Sequence, residues 1–420
     1  MRVQRHSVPT TLSALALAVL LGWSAPAAAT DAREVVVVDL SADTRENAQI
    51  RHEVIRAVRR HEDYDIRNVD SILNAGAEAD EQSNIRTAMA FKEAGIEALQ
   101  RGDASEASDQ LENAAGLIER HFGQLPDVKT YRELLLLLGD AQLSAGLGEV
   151  ARETFNRAAL FRARPADAPG GMSTDAEAAL NKAVAQMAEM APGAISLTTS
   201  PAHAEVWLNG RYKGITPKTV AGLPAGKHIL VIRKPGYVRQ TQQVRADPDE
   251  LTTYSFNMEP SRKKPVWDQL RITLEEEVLA TGLDTPQGGR GVEQLGSVLL
   301  AEFGLVVRCG GEGSSKKVEM SLYDPRSRRL LNRVTRAIDW TTRNRTGIES
   351  LVQELMTIDL VAALGGASDA EVDQAPIYKK WWFWTAVAAG VAGVTTAVAL
   401  AASPEGPPPK PTEGTIVLTF

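Results

Sequence analysis

Between Gly193 and Pro260 the chain breaks into short apolar runs at residues 195–199, 204–208, 228–233 and 253–258. The separators are Ser200-Pro201, Asn209-Gly210, Lys213-Gly214, Pro224-Ala225-Gly226 and Lys234-Pro235-Gly236. Runs of about five residues, with a turn signal roughly every 8–12, fit a small all-β sandwich rather than a helical domain. Asn209-Gly210 is the sharpest of these signals, because a type I′ hairpin turn needs φ > 0 at both central residues. The spacing therefore predicts a β module at residues 193–260.

Within this stretch Ser200-Pro201, Ala204, Val206, Asn209-Gly210, Gly214, Thr216-Pro217, Leu223-Pro224-Ala225-Gly226, His228 and Gly236-Tyr237 stand in a recognisable order. The pattern resembles the PEGA family, small β-sandwich modules of bacterial envelope proteins. Of the four residues that name the family, here Pro201-Ala202-His203-Ala204, the first and last match, and His203 stands where the family has glycine. The resemblance implies a non-catalytic module used for binding or spacing at the envelope.

The two ends of the chain carry the membrane signals. Residues 1–29 read as a secretory signal: Arg2 and Arg5, an apolar core at 12–22, and the small residues Ala27-Ala28-Ala29 at the cleavage site. Residues 381–402 contain no charge and are long enough to cross the hydrocarbon core. Lys379 and Lys380 in front of that span can reach lipid phosphates, and Trp381, Trp382 and Trp384 form an aromatic belt. Export places the bulk of the chain in the periplasm of a bacterial inner-membrane, single-pass protein. The two lysines then lie outside, against the positive-inside trend, but long domains translocate largely regardless of charge. Residues 403–420 form a Pro-rich linker and short tail.

Three further segments fill the interval. Residues 31–75 suggest β-α-β: a Val-rich run at 34–40 suits a strand buried on both faces. After it, Ile50, Val54, Ile55 and Val58 line one helical stripe opposite Arg51, Arg56, Arg59 and Arg60. The repeated Arg-His-Glu at 51–53 and 60–62 does not share a helix face, which favours a solvated charged surface over a metal site. Residues 83–190 are helical with an internal repeat: Gly95, Ala107, Leu111 and Ala114 recur 44 positions later as Gly139, Ala151, Phe155 and Ala158. This resembles the tetratricopeptide pattern, in two units closed by a capping helix, and implies a partner groove or a helical spacer. Residues 261–364 order as helix, strand, hairpin and helix, an α+β domain that can complete the half begun near residue 35.

The expected fold class is multidomain α+β, with a β-α-β segment, helical repeats, a small β-sandwich, an α+β domain and a C-terminal transmembrane helix. Chemistry is sparse. No Gly-x-Ser-x-Gly, His-Glu-x-x-His or kinase signature occurs, and the glycine-rich run at 310–316 lacks the Gly-Lys-Ser/Thr of a phosphate loop. We expect no catalytic residue, cofactor or metal. A net charge of −7 without a basic stripe argues against a nucleic-acid partner. The single cysteine, Cys309, reads as a buried small hydrophobe. The function expected is a non-enzymatic, membrane-anchored envelope protein that binds another protein or cell-wall glycan. Trp207, Tyr212 and Tyr237 are candidates for a glycan surface, although aromatics in a sandwich more often pack inside. The alternatives are a periplasmic sensory subunit signalling through the span, or a hydrolase housed in 261–364. Oligomeric state is left open.

Overall fold

In the computed structural model the strand Arg33–Asp39 (β1) and helix Arg45–Val58 (α1) are followed by Tyr64–Arg67 (β2) and the short helix Val69–Leu73 (α2). Five helices come next: Ala75–Gln100 (α3), Ala104–Arg120 (α4), Val128–Ser144 (α5), Gly148–Leu160 (α6) and Thr174–Glu189 (α7). Strands Gly193–Ser200 (β3), Glu205–Leu208 (β4), Arg211–Ile215 (β5), Lys218–Leu223 (β6), Gly226–Arg233 (β7), Gln240–Ala246 (β8) and Leu251–Asn257 (β9) form the β module. Helices Lys264–Thr281 (α8) and Arg290–Val298 (α9), strands Phe303–Gly310 (β10), Ser315–Asp324 (β11) and Arg329–Asp339 (β12), and helix Arg345–Met356 (α10) follow. The structure describes residues 32–357, apart from 169, 282–288, 312, 314 and 341–344. The expected signal peptide, the span at 381–402 with Lys379, Lys380, Trp381, Trp382 and Trp384, and the tail lie outside the described residues. Among the described residues no helix is long and apolar enough to cross a membrane.

The β-α-β and α+β segments build one sheet, ordered β12-β11-β10-β1-β2. β1 pairs in parallel with both neighbours: Val37 lies opposite Leu305 of β10, and Arg33 opposite Tyr64 of β2. A central strand covered on both faces needs apolar residues at every position, and Val35, Val36, Val37 and Val38 are at most 5% exposed. Each such burial is worth about 1.5–3 kcal/mol. Val36, Val38 and Val306 pack with Trp267, Leu270 and Leu274 of α8 and Leu295 of α9. α1 and α10 pack together and Val37 lies beside Ile55 of α1, so the opposite face is covered as well. Thr44 caps α1 by accepting the Asn47 amide at 3.2 Å. In the glycine-rich run, Gly310 ends β10 and Ser315 opens its antiparallel partner β11.

The inserted helices stack as consecutive antiparallel neighbours. Where α3 meets α4, a side chain at Gly95 would lie 2.6 Å from Leu111 Cγ; where α5 meets α6, one at Gly139 would lie 2.6 Å from Phe155 Cζ. These equivalent contacts, 44 residues apart, are the physical content of the sequence repeat. Ala107, Ala114, Ala151 and Ala158 are wholly buried beside them. α3 starts at Ala75, ahead of the expected Ser83, because Glu78 and Glu81 are anchored by Arg239 of the β module at 3.3 and 2.7 Å.

The β module is a sandwich of a three-stranded sheet, β6-β3-β9, and a four-stranded sheet, β5-β4-β7-β8. Its interior holds Ile195, Leu197, Val206, Leu208, Leu230 and Ile232. β7 is apolar on both faces: Ile229 and Val231 belong to the core of the helices, while Leu230 and Ile232 belong to the sandwich. β5, β6 and β8 were not expected from the sequence. Their runs RYKGI, KTVAGL and QTQQVRA expose one face and carry polar side chains there.

Gly139→Ala should lower the stability of the helical region by about 1–3 kcal/mol, the usual cost of overpacking. Gly116→Ala, where an added methyl meets nothing within 4 Å, should raise it by up to about 1 kcal/mol. Urea unfolding followed by circular dichroism checks both signs.

Candidate functional site

Several motif residues of the β module meet in one hydrogen-bond chain. Asn209 and Gly210 turn β4 into β5 with φ of +49° and +72°, the type I′ geometry. The Asn209 side-chain oxygen accepts the Ile229 amide at 2.9 Å, and its amino group donates to His228 Nδ1 at 2.9 Å. His228 Nε2 in turn donates to the Pro224 carbonyl at 2.9 Å. Burial pulls the His228 pKa below its usual value, which suits this neutral arrangement. Thr216, wholly buried, accepts the Ala204 amide at 2.9 Å and bonds the Thr199 hydroxyl at 2.6 Å. Ser200-Pro201 and Thr216-Pro217 are cis. Gly214 and Gly236 both have positive φ, and Tyr237 bridges to Pro260. These residues hold the turns of the sandwich together.

Two of the motif glycines face the helices. A side chain at Gly210 would collide with Val128 at the start of α5, at 2.1 Å, and one at Gly226 would meet Leu160 of α6 at 2.9 Å. Beyond Gly226 the seam opens into a groove of about 950 Å³ walled by α4, α6, α7 and the ends of β7 and β8. That volume is at the upper end of the usual range for ligand pockets. Its rim carries Val150, 47% exposed, and Met190, 48% exposed, with Leu160 and Met187 partly covered beside them. Four cations (Arg152, Arg157, Lys227, Arg245) and four carboxylates (Asp109, Glu112, Glu153, Glu189) are distributed around it. Arg157 is fixed by Glu119 at 3.0 Å and Glu112 at 3.4 Å, and Glu119 also accepts the Tyr131 hydroxyl. The lining is apolar in the middle and charge-balanced at the edge. Among the described residues no cluster of three or more His, Cys, Asp or Glu is arranged to hold a metal. Sequence reading missed this groove because its walls come from two separate parts of the chain, the helices and the β module, that only the fold brings together.

Residues 193–262 match the PEGA domain. The match covers about a sixth of the chain, and no curated protein matches.

The PEGA domain is also seated on α1. The face of α1 expected to be solvated is partly covered: His52 and Glu53 are buried, and the Arg51 side chain is 13% exposed. His52 stacks on Tyr212 with ring centroids 3.4 Å apart, and Trp207 meets the same pair edge-on. Arg233 lies over Trp207, and Lys264 of α8 over Tyr237. The aromatic residues considered for glycan binding thus line contacts within the molecule. His203 adopts φ +63°, the left-handed conformation that the family's glycine provides more easily. Its ring lies 3.2 Å from Asp43, which Lys234 also binds at 2.9 Å, so the departure from the family pattern adds a tie to the loop before α1. At the end of β10 the Cys309 amide donates to Ser41 at 2.8 Å, and burial pushes the thiol up to about 12, so it stays protonated at neutral pH.

Glu205 is the acid at the centre of this seam. Burial alone would raise its pKa, but His52 and Arg51, then Arg233, outweigh burial and hold it down at about 2. The unfolded value is near 4.5, so this group stabilises the fold fully above pH 4.5 and its contribution is lost as pH falls towards 2. The magnitude is on the order of 3 kcal/mol. Glu205→Gln should be less stable at pH 7 and should show a flatter loss of stability between pH 5 and 2; acid unfolding curves of the two proteins check this.

Proposed function

We propose that the chain is a non-enzymatic, membrane-anchored scaffold of the bacterial cell envelope, in which tetratricopeptide-like hairpins and the PEGA domain together grip a segment of a partner protein. The observation that carries this reading is the groove of about 950 Å³ shared by α4, α6, α7 and the PEGA strands. A PEGA domain is consistent with binding or scaffolding, and neither the hairpins nor the sandwich alone encloses the groove. Flexible thioether side chains such as Met187 and Met190 adapt to varied apolar surfaces. The balanced charge at the rim suits a polypeptide with both signs better than a nucleic acid. A protein partner is preferred to cell-wall glycan because Trp207, Tyr212 and Tyr237 are engaged inside the molecule. The signal-like 1–29 and the tryptophan-fronted 381–402 support anchoring in the inner membrane with residues 30–378 in the periplasm.

Val150 and Met190 are about half exposed, so charging them leaves packing nearly unchanged. Full-length protein purified in detergent from envelopes should carry partners that V150D and M190D retain at no more than about a tenth of the wild-type level, the effect of losing one interface anchor. K182Q, on α7 but off the groove, should retain them all. Equal retention by V150D, M190D and wild type would remove the groove as the binding element.

A further inference from the structure

A second cavity, about 220 Å³, lies between α1, β2, the start of α2 and strands β4, β5 and β7 of the PEGA domain. Five arginines line it, Arg51, Arg56, Arg59, Arg67 and Arg233, against two carboxylates, Glu205 and Asp70. Some of that charge is already matched. Arg56 pairs with Glu53 at 2.9 Å and Glu349 at 3.0 Å, and Arg67 pairs with Glu34 at 3.0 Å. The other three are held differently. Arg59 donates to the Asn68 side-chain oxygen at 2.9 Å, and Arg233 to the Gly123 carbonyl at 2.7 Å, both neutral acceptors. Arg51 meets Glu205 only at 3.7 Å, outside hydrogen-bond range. The Nε atoms of Arg51 and Arg233, and Nη2 of Arg51, are shielded from solvent with no hydrogen-bond partner among the described residues.

Guanidinium groups brought together under a neighbouring domain repel one another, and each buried donor without an acceptor carries a desolvation cost. The strain shows at Arg233, whose pKa is pulled down by burial and by Arg239 and Arg59 despite the pull of Asp70 and Glu205. Arginine is also the side chain whose planar fork matches tetrahedral oxyanions bidentately. The cavity has room for a tetrahedral anion with a few waters.

We propose that this cavity binds a small, doubly charged oxyanion of the phosphate class, coordinated by Arg51, Arg59 and Arg233. The ligand bridges α1 and the PEGA domain, and occupancy therefore tightens the seam between them. The same chemistry is offered by free phosphate and by a small phosphomonoester.

The test uses full-length protein in detergent, in chloride buffer at fixed ionic strength, titrated calorimetrically with inorganic phosphate and, separately, with glycerol 3-phosphate. Saturable binding of at least one of them, together with a rise in melting temperature that chloride does not produce, is expected; the tighter of the two identifies the source. Arg59 is exposed enough to be changed without disturbing the core. R59Q and R51Q should each weaken binding about tenfold, in line with loss of one charge-assisted hydrogen bond, and K182Q should leave it unchanged. Circular dichroism identifies a variant that fails to fold, and R59Q then decides alone. Absence of saturable binding by wild type, unchanged affinity in R59Q, or equal weakening in K182Q would each overturn the proposal.

Discussion

The structure depends on the parallel pairing of β1 with β10, two strands separated in sequence by the helices and the PEGA domain. β2 alone gives β1 one neighbour; β10 gives it the second, and with it the hairpin β11–β12 and helices α8, α9 and α10 that cover the sheet. The insertion must leave and return so that Val35 comes to lie opposite Phe303 and Asp39 opposite Val307. That requirement returns α8, after β9, to the same sheet, and the PEGA domain lies against α1.

Two elements serve two cores each. β7 gives Ile229 and Val231 to the helices and Leu230 and Ile232 to the sandwich. α1 gives Ile50, Val54 and Val58 to the interior while Arg51 and His52 face the PEGA domain. Both seams enclose cavities. The open end of the first is the large groove beside Gly226, and the second encloses the arginine cavity.

What the sequence disclosed follows from which forces are local. The Val-rich β1 and the apolar run at 228–233 were legible because burial on both faces leaves no polar positions. The Asn209-Gly210 turn was legible because few residues accept its backbone angles. The 44-residue recurrence of Gly95 and Leu111 as Gly139 and Phe155 was legible because helix contact at a glycine needs a large partner at a fixed spacing. Strands β5, β6 and β8 were hidden because their exposed faces are polar and their hydrogen bonds come from neighbours. The cover over Arg51 and His52 was hidden for another reason: a charged helix face reads as solvated, and only the inserted domain supplies Glu205, Trp207 and Tyr212 to receive it. The groove could not be read at all, since its helical walls and its PEGA strands come from separate parts of the chain that only the fold brings together.

Closure of the sheet across the insertion is the most direct point of test. In the full-length chain, Val306→Asp puts a charge into β10 beside Val38, where both residues are at most 2% exposed. Hydrogen exchange followed by mass spectrometry reads the two strands separately. Because β1 depends on β10 for half of its hydrogen bonds and for its cover, amides at 33–39 should lose protection together with those at 303–310. Full protection of 33–39 alongside open exchange at 303–310 would contradict a single sheet closed by the two ends of the domain.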